Sequence, residues 1–201
     1  MALTFYTNPQ SRGRIARWML EEIGQPYDTV VLDYATTLKG PDYAAINPMA
    51  KIPTLVDGGT VITEVAAICT YLADAFPEAG LMPTDRGPLY RWMFFGAGPL
   101  EQALVNVSLG WVAAPEKERR TGYGSLERVV TTLTGHLADR PFIAGDGFSA
   151  ADIYVGSQIG WGLMFGTLPG NDILRGYWER IATRPALARA AALDDALIRK
   201  E

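Results

Sequence analysis

The chain has 201 residues, of which 48% are hydrophobic and 20% charged, and its formal net charge is -4. This composition supports a packed core in one large domain or two small ones, and it excludes the basic surface that nucleic-acid binding requires. The single cysteine, Cys69, excludes an internal disulfide, and the single histidine, His136, excludes a His/Cys zinc cluster. We therefore expect neither a metal nor a nucleic acid as ligand.

The chain carries no sign of export or membrane insertion. Its first residues lack the basic start and long apolar run of a secretory signal, and no stretch approaches about 18 uninterrupted apolar residues. We expect a cytoplasmic protein without membrane contact, and a lone cysteine fits such a reducing compartment.

Strand and helix signals alternate in the first part of the chain. Short β-branched and aromatic runs predict strands, whereas apolar residues repeated every three or four positions predict helices. The predicted elements are a strand at 2–6, a helix from Ser11 to Gly24, a strand at 27–32, a short helix near 42–46, hairpin strands at 52–56 and 60–63, and a helix at 64–76. Their order, βαβαββα, indicates an α/β domain.

Residues 77–88 are rich in proline, glycine and charge, which is typical of a linker. Strand signals vanish after this segment. Helices are predicted at 88–112, at 116–139, from Ser149 onward, at 172–183 and at 185–198. The fold class is therefore α/β plus all-α, with an α/β domain at 1–79 and a helical-bundle domain at 86–201.

The loop from Tyr6 to Gly13 leads into the first helix and contains Ser11. A helix start offers unpaired N–H groups and a partial positive charge, so it stabilises an anion such as a thiolate. Lowering a thiol pKa of about 8.5 by two units requires about 2.7 kcal/mol, which a hydroxyl donor and a helix start can supply together. The alternative is that Ser11 only caps the helix.

A second segment, 47–55, holds Ile52-Pro53 at the start of an apolar strand. A cis bond before Pro53 would turn the backbone of Ile52 outward, where it could pair with a peptide-like ligand as an added strand does. An ordinary turn before the strand fits the spacing equally well.

Glu64 opens the helix that follows the hairpin. The N–H groups of a helix start suit a carboxylate, and a glutamate suits an ammonium group. The alternative is a first-turn glutamate that complements the helix dipole. Further along, Ser149 and Asp152 have the spacing of a capping box, which is a structural device.

Several other residues favour a structural role. Cys69 lies on an apolar helix without a CxxC partner, so we expect it in the core, and His136 is expected to cap or pack. The segment 160–166 contains three glycines, which is unusual for a helix and indicates close packing, although space for a pocket is an alternative.

Taken in order and at these separations, the Ser11-Arg12 loop, the segment 47–55, the helix opened by Glu64 and the motif 148–152 resemble the soluble glutathione transferase superfamily. The resemblance covers nearly the whole chain and is of the bacterial type with a serine-type loop. It implies a thioredoxin-like first domain that binds glutathione and a helical second domain that holds an electrophile.

The resemblance also implies roles for individual residues. Ser11 would hydrogen-bond the glutathione sulfur as a thiolate, with Tyr6 as the second candidate. The other implied contacts are support of the thiolate by Arg12 and Asn8, backbone pairing of Ile52 beside Pro53 with the cysteinyl unit, Lys51 on the glycine carboxylate, and Glu64 with the amide of Val65 on the γ-glutamyl end.

One residue departs from the family pattern. The family often has serine after the glutamate, where this chain has Val65. The loss of one hydrogen bond to a charged group costs about 1.5–3 kcal/mol, or about ten- to a hundredfold in affinity. The backbone N–H of Val65 is still available, so we expect weakened rather than abolished glutathione binding.

The second substrate is expected to be a small apolar electrophile, and the residues favoured for its pocket are Ser108, Trp111, Trp161 and Phe165. The activity implied is glutathione S-transferase conjugation, typically in detoxification, with glutathione as co-substrate and no metal. Two alternatives stay open: a non-catalytic binding or interaction protein, and another glutathione-dependent reaction, such as peroxide reduction, dehalogenation or isomerisation. A homodimer is expected from the resemblance alone.

Overall fold

The computed structural model describes residues 3–198, which form two compact units. The first comprises residues 3–79 together with 184–198, and the second comprises residues 80–183. The last helix therefore packs with the α/β unit, although the sequence grouped it with the helical domain at 86–201. None of the described helices is both long and apolar enough to cross a bilayer.

The first unit is a thioredoxin-like sheet with helices, as predicted. Its elements in chain order are β1 (Leu3–Thr7), α1 (Gly13–Ile23), β2 (Tyr27–Val31), α2 (Pro41–Ala44), β3 (Thr54–Asp57), β4 (Thr60–Thr63) and α3 (Val65–Ala75), and α9 (Pro185–Leu197) joins them from the end of the chain. The strand order is β2-β1-β3-β4, with β1 parallel to β2 and the other neighbouring pairs antiparallel. The predicted βαβαββα order is confirmed.

The start of α1 lies against the end of β1. Gly13 is buried, and a Cβ atom at this position would come 2.0 Å from Thr7 Oγ1 and 2.9 Å from Ser11 Oγ. Only glycine allows the helix to begin this close to the strand.

A buried ion pair holds α9 on α1. Arg17 Nε donates to Asp194 Oδ1 at 2.8 Å, and both side chains are 2% exposed or less. Arg17 also donates to the hydroxyls of Tyr27 and Thr29 on β2. Burial raises the pKa of Asp194, and the Arg17 charge opposes that rise. The pair therefore links the two helices and the sheet, at the desolvation cost of two charges.

The second unit is all-helical, as predicted, but its long helices are broken. It contains α4 (Arg86–Phe95), α5 (Glu101–Ser108), α6 (Leu126–Leu137), α7 (Ala150–Phe165) and α8 (Asp172–Ala182). The predicted helix at 88–112 is interrupted by a π-helical turn at Gly96–Leu100 that contains Pro99, which has no N–H to donate. The predicted helix at 116–139 is confirmed only over α6, because a 3-10 segment, Pro115–Arg120, and Gly124 at φ 71° precede it.

α7 is the buried centre of the helical unit. Its capping box is confirmed, since Ser149 N donates to Asp152 Oδ2 at 2.9 Å. The expectation of close packing at its glycines is also confirmed, because a Cβ at Gly160 would lie 2.6 Å from the Trp178 ring and one at Gly162 would lie 2.6 Å from Leu168.

We predict that Asp194→Ala lowers the free energy of unfolding by about 3–5 kcal/mol, because it leaves the Arg17 guanidinium buried without its counter-charge. The neighbouring Asp195 provides the control. It pairs with Arg14 at 2.6 Å but is 63% exposed, so Asp195→Ala should cost at most about 1 kcal/mol. Urea unfolding of both variants measures the difference, and equal losses would contradict the role given to the buried pair.

Gly13→Ala should destabilise the protein by about 1–3 kcal/mol, because its methyl group overlaps Thr7 and Ser11. Gly176, inside α8, has no atom within 4 Å of an added Cβ. Gly176→Ala should therefore be neutral or stabilising by up to about 1 kcal/mol. Thermal unfolding of the two variants tests this contrast, which fails if Gly13→Ala melts like the wild type.

Candidate functional site

The sheet register brings three of the predicted segments to one edge of the first unit. Tyr6 on β1 lies opposite Thr54 on β3, and Thr54 lies opposite Thr63 on β4. The loop after β1, the segment before β3 and the residue after β4 therefore leave the sheet at the same end. Ser11, Ile52 and Glu64 stand in these three segments, in that order.

The loop after β1 is held by its own polar groups. Asn8 donates from Nδ2 to the carbonyl of Leu32 at 2.9 Å and accepts from the N–H of Gln10. Ser11 Oγ donates to the carbonyl of Asn8 at 2.7 Å and accepts from the N–H of Gly13 at 2.9 Å. The serine hydroxyl therefore closes the turn, and its single hydrogen is directed at Asn8. Arg12 is exposed at the cap position of α1.

Near the end of β1, Tyr6 packs against other apolar side chains. Its ring packs at 5.7 Å from the ring of Tyr43, and it adjoins an apolar cluster formed by Leu32, Leu38 and Tyr43. Ile52 packs against the same cluster, so the structure brings these two predicted residues together.

Tyr43 and Asn47 fix the segment before β3, and sequence reasoning gave neither of them a role. The hydroxyl of Tyr43 donates to the carbonyl of Lys51 at 2.5 Å, and Nδ2 of Asn47 donates to the same carbonyl at 2.9 Å. Both side chains also contact Thr54 Oγ1. The four-residue spacing of Tyr43 and Asn47 was a sequence signal, because it puts both on one face of a helical turn. Burial raises the pKa of Tyr43.

The backbone is unusual at the same edge. The Ile52–Pro53 bond is cis, which is one of the two alternatives that the sequence left open. Within residues 3–198, the only residues other than glycine with positive φ are Ala50 at 50° and Glu64 at 68°. Such conformations cost about 1–3 kcal/mol each and cluster at functional sites. Both lie in segments that the sequence assigned to ligand binding.

Charged groups at this edge are available to a ligand. Glu64 is exposed at the cap position of α3 and makes no hydrogen bond or ion pair with any described residue. Lys51 is exposed, while the side chain of Val65 is 8% exposed at the first position of α3. An anion and a cation of a zwitterionic ligand could therefore both find a partner here.

The residues predicted for the electrophile pocket lie in the second unit. Ser108 ends α5 and donates from Oγ to the carbonyl of Val105 at 2.7 Å. Trp111 is 67% exposed, Trp161 is partly buried on α7, and Phe165 at the end of α7 is 70% exposed. In the part of the chain that the structure describes, no ring of these three contacts another of them.

The helical unit contains a cavity of about 350 Å³, and none of the predicted site residues lines it. It lies between α4, the end of α6 and the loop before α7, and its lining includes Arg91, His136 and Arg140. A ring nitrogen of His136 is hydrogen-bonded to the carbonyl oxygen of Ile143 at 2.8 Å, and the imidazole ring packs on Trp92. The packing role predicted for His136 is therefore confirmed. Burial lowers the pKa of His136.

Two further expectations concern chemistry outside the site. Cys69 is fully buried, which raises the pKa of its thiol, so its predicted core role is confirmed. No group of three or more metal-binding side chains occurs between residues 3 and 198.

Two family models match the sequence, one for each part of the chain. Residues 12–75 match the N-terminal domain of glutathione S-transferase, and residues 111–161 match the C-terminal domain. The first match includes the segment of Ile52 and the helix opened by Glu64.

Individual proteins agree with the family models. Glutathione S-transferase 3 of Zea mays is 31% identical, over 87% of this chain and 86% of its own length. Glutathione S-transferase GstA of Escherichia coli O157:H7 is 29% identical, over 87% and 90%. The structure of a sphingomonad glutathione S-transferase complexed with glutathione superposes with a TM-score of 0.77 and 29% identity, over 96% of this chain and 98% of that one. This chain belongs to the glutathione S-transferase family.

Proposed function

We propose that the protein conjugates the glutathione thiolate to a small apolar electrophile. The observation that carries this proposal is the shared end of β1, β3 and β4, where the start of α1, the segment before β3 and the exposed Glu64 carboxylate come from neighbouring strands. Family membership supplies the ligand, since relatives are named glutathione S-transferases and one solved neighbour contains glutathione.

Glutathione is a tripeptide with two carboxylates, one ammonium group and a thiol. We assign its γ-glutamyl end to Glu64 and the amide of Val65, its cysteinyl backbone to Ile52 beside Pro53, and its glycine carboxylate to Lys51. The free state of the Glu64 carboxylate supports the first assignment, because an ammonium group gives it a charge-assisted partner. Asn8 and Arg12 complete the loop at the sulfur end.

Ser11 is our first choice for the residue that stabilises the thiolate. Its hydrogen is directed at the Asn8 carbonyl, so the hydroxyl must rotate toward the sulfur when glutathione binds. Rotation leaves the Asn8 carbonyl without that bond and reduces the net stabilisation to about 1–2 kcal/mol. Tyr6 is the second choice, because it lies at the strand end and is only partly buried.

The helical unit would supply the apolar surface for the electrophile. Trp161 and Phe165 follow one face of α7, and Ser108 and Trp111 lie at the end of α5. Trp111 and Phe165 expose most of their surface, which gives the unit apolar area for such a substrate. The thiolate would attack the electrophile by nucleophilic displacement or addition, without a metal.

A second function, a non-catalytic binding or interaction protein, is favoured by one observation. Val65 has no hydroxyl for the γ-glutamyl carboxylate, and its side chain is buried. Peroxide reduction, dehalogenation and isomerisation use the same thiolate and stay as alternatives for the reaction. A homodimer and a cytoplasmic location also stay predictions.

The thiolate assignment predicts that Ser11→Ala raises the pKa of bound glutathione toward about 8.5, because the sulfur loses its donor. Thiolate absorbance of the binary complex, titrated between pH 5 and 9, measures this. At low pH both proteins should bind the neutral thiol, and at pH 9 both should bind mostly thiolate, so the difference in thiolate absorbance should be largest between the two pKa values.

Tyr6→Phe is the matched control for this experiment, since it removes the other hydroxyl without changing the ring. It should leave the thiol pKa within about 0.5 unit of the wild type if Ser11 is the donor. A pKa that is unchanged in Ser11→Ala and raised in Tyr6→Phe would transfer the role to Tyr6.

Val65→Ser should tighten glutathione binding by about tenfold or more, because the new hydroxyl can bond the γ-glutamyl carboxylate. Val65→Ala is the control, since it removes the same methyl groups without adding a donor. Isothermal titration measures both. If the wild type does not bind glutathione at millimolar concentration while Val65→Ser does, the non-catalytic function is better supported than the transferase function.

A further inference from the structure

Arg14 connects the loop that carries Ser11 to α9. Its Nε donates to the carbonyl oxygen of Pro9 at 2.6 Å, and its Nη2 donates to Oδ1 of Asp195 on α9, also at 2.6 Å. Both donors belong to one planar guanidinium, so the carboxylate fixes the direction in which Nε points. The side chain of Arg14 therefore joins two segments that come from opposite ends of the chain.

The peptide unit between Pro9 and Gln10 is held on both of its polar sides. Its carbonyl oxygen, which belongs to Pro9, accepts from Arg14. Its N–H, which belongs to Gln10, donates to Oδ1 of Asn8 at 2.9 Å. Rotation of this peptide unit would break at least one of the two hydrogen bonds.

The same peptide unit sets the position of Ser11 relative to Asn8. Ser11 Oγ donates to the carbonyl oxygen of Asn8 at 2.7 Å, and only Pro9 and Gln10 stand between the two residues. The ring of Pro9 already fixes its φ angle. The ψ angle of Pro9 and the φ angle of Gln10 flank the held peptide unit, so the two hydrogen bonds restrain both rotations.

The Arg14–Asp195 pair is too exposed to contribute much to stability. The two side chains are 28% and 63% exposed, and such pairs are worth about 0–1 kcal/mol. A comparable pair, Arg189 with Glu21 at 3.1 Å, also joins α9 to α1. It lies about two helical turns further along α1, and its other bond goes to the carbonyl of Glu21 instead of the loop.

We infer that Asp195 and Arg14 are positioning residues for the loop of Ser11, so that α9 takes part in setting the geometry of the thiolate site. This inference rests on the proposed function. Arg14 acts on the carbonyl of Pro9, and Asp195 acts through Arg14. Orientation matters at such a site because a displacement of about 1 Å can reduce a rate by about a hundredfold.

Asp195→Ala tests the inference through two measurements on bound glutathione. The thiol pKa, followed by thiolate absorbance, should rise by about 0.5–1 unit because the loop holds Ser11 less firmly. The affinity at about pH 5, where the thiol is neutral, should change by less than about twofold in isothermal titration, since the contacts assigned to Glu64 and Lys51 are intact. Arg189→Ala is the matched control and should change neither quantity.

Arg14→Ala provides a second test, because Asp195 has no route to the loop without that side chain. Arg14→Ala should raise the thiol pKa at least as much as Asp195→Ala does. The double variant should show no further rise, which is the non-additivity expected of two residues that act in series.

The outcomes separate the two proposals. If the wild type does not bind glutathione, or binds it with a thiol pKa of about 8.5, the proposed function fails and the positioning role fails with it. If the wild type lowers that pKa, an unchanged pKa in Asp195→Ala overturns the inference alone. An equal rise in Arg189→Ala, a further rise in the double variant, or a matching loss of affinity at low pH would show a merely structural role and would also overturn it.

Discussion

The alignment of three strand ends is the constraint on which the candidate site depends. Tyr6, Thr54 and Thr63 lie side by side across β1, β3 and β4. A slip of one residue in either pairing would move every side chain to the other face of the sheet and separate the loops that follow. The buried residues of β1, Leu3 and Phe5, oppose such a slip, because it would expose them to solvent.

Hydrogen bonds from polar side chains then fix the loops that the strand register brings together. Tyr43 and Asn47 hold the carbonyl of Lys51 from two directions, and Asn8 and Ser11 close the loop after β1. These bonds fix backbone groups before any ligand arrives, which reduces the entropy lost on binding. The same bonds commit the hydroxyl hydrogen of Ser11, so a rigid loop and a free donor for sulfur are in competition at this residue.

The helical unit shows a related contrast on its central helix. Glycines on one face of α7 allow the side chains of α8 to pack close to it, and the opposite face carries Gln158 with three aromatic residues, Tyr154, Trp161 and Phe165. Close packing stabilises the first face through dispersion and burial. On the second face the amide of Gln158 makes no hydrogen bond with any described residue, which lowers stability.

The sequence by itself determined the order of elements, and it named residues for the candidate site whose roles stay predictions. Apolar periodicity and turn residues are local signals, so they predicted the strands, the hairpin, the capping box at Ser149 and the core position of Cys69. Tertiary structure decided what depends on distant partners. The Arg17–Asp194 pair joins α1 to α9 within the first unit, although the two residues are 177 positions apart in the sequence. The alignment of strand ends, the support given by Tyr43 and the unpaired amide of Gln158 likewise exist only once separate segments pack together.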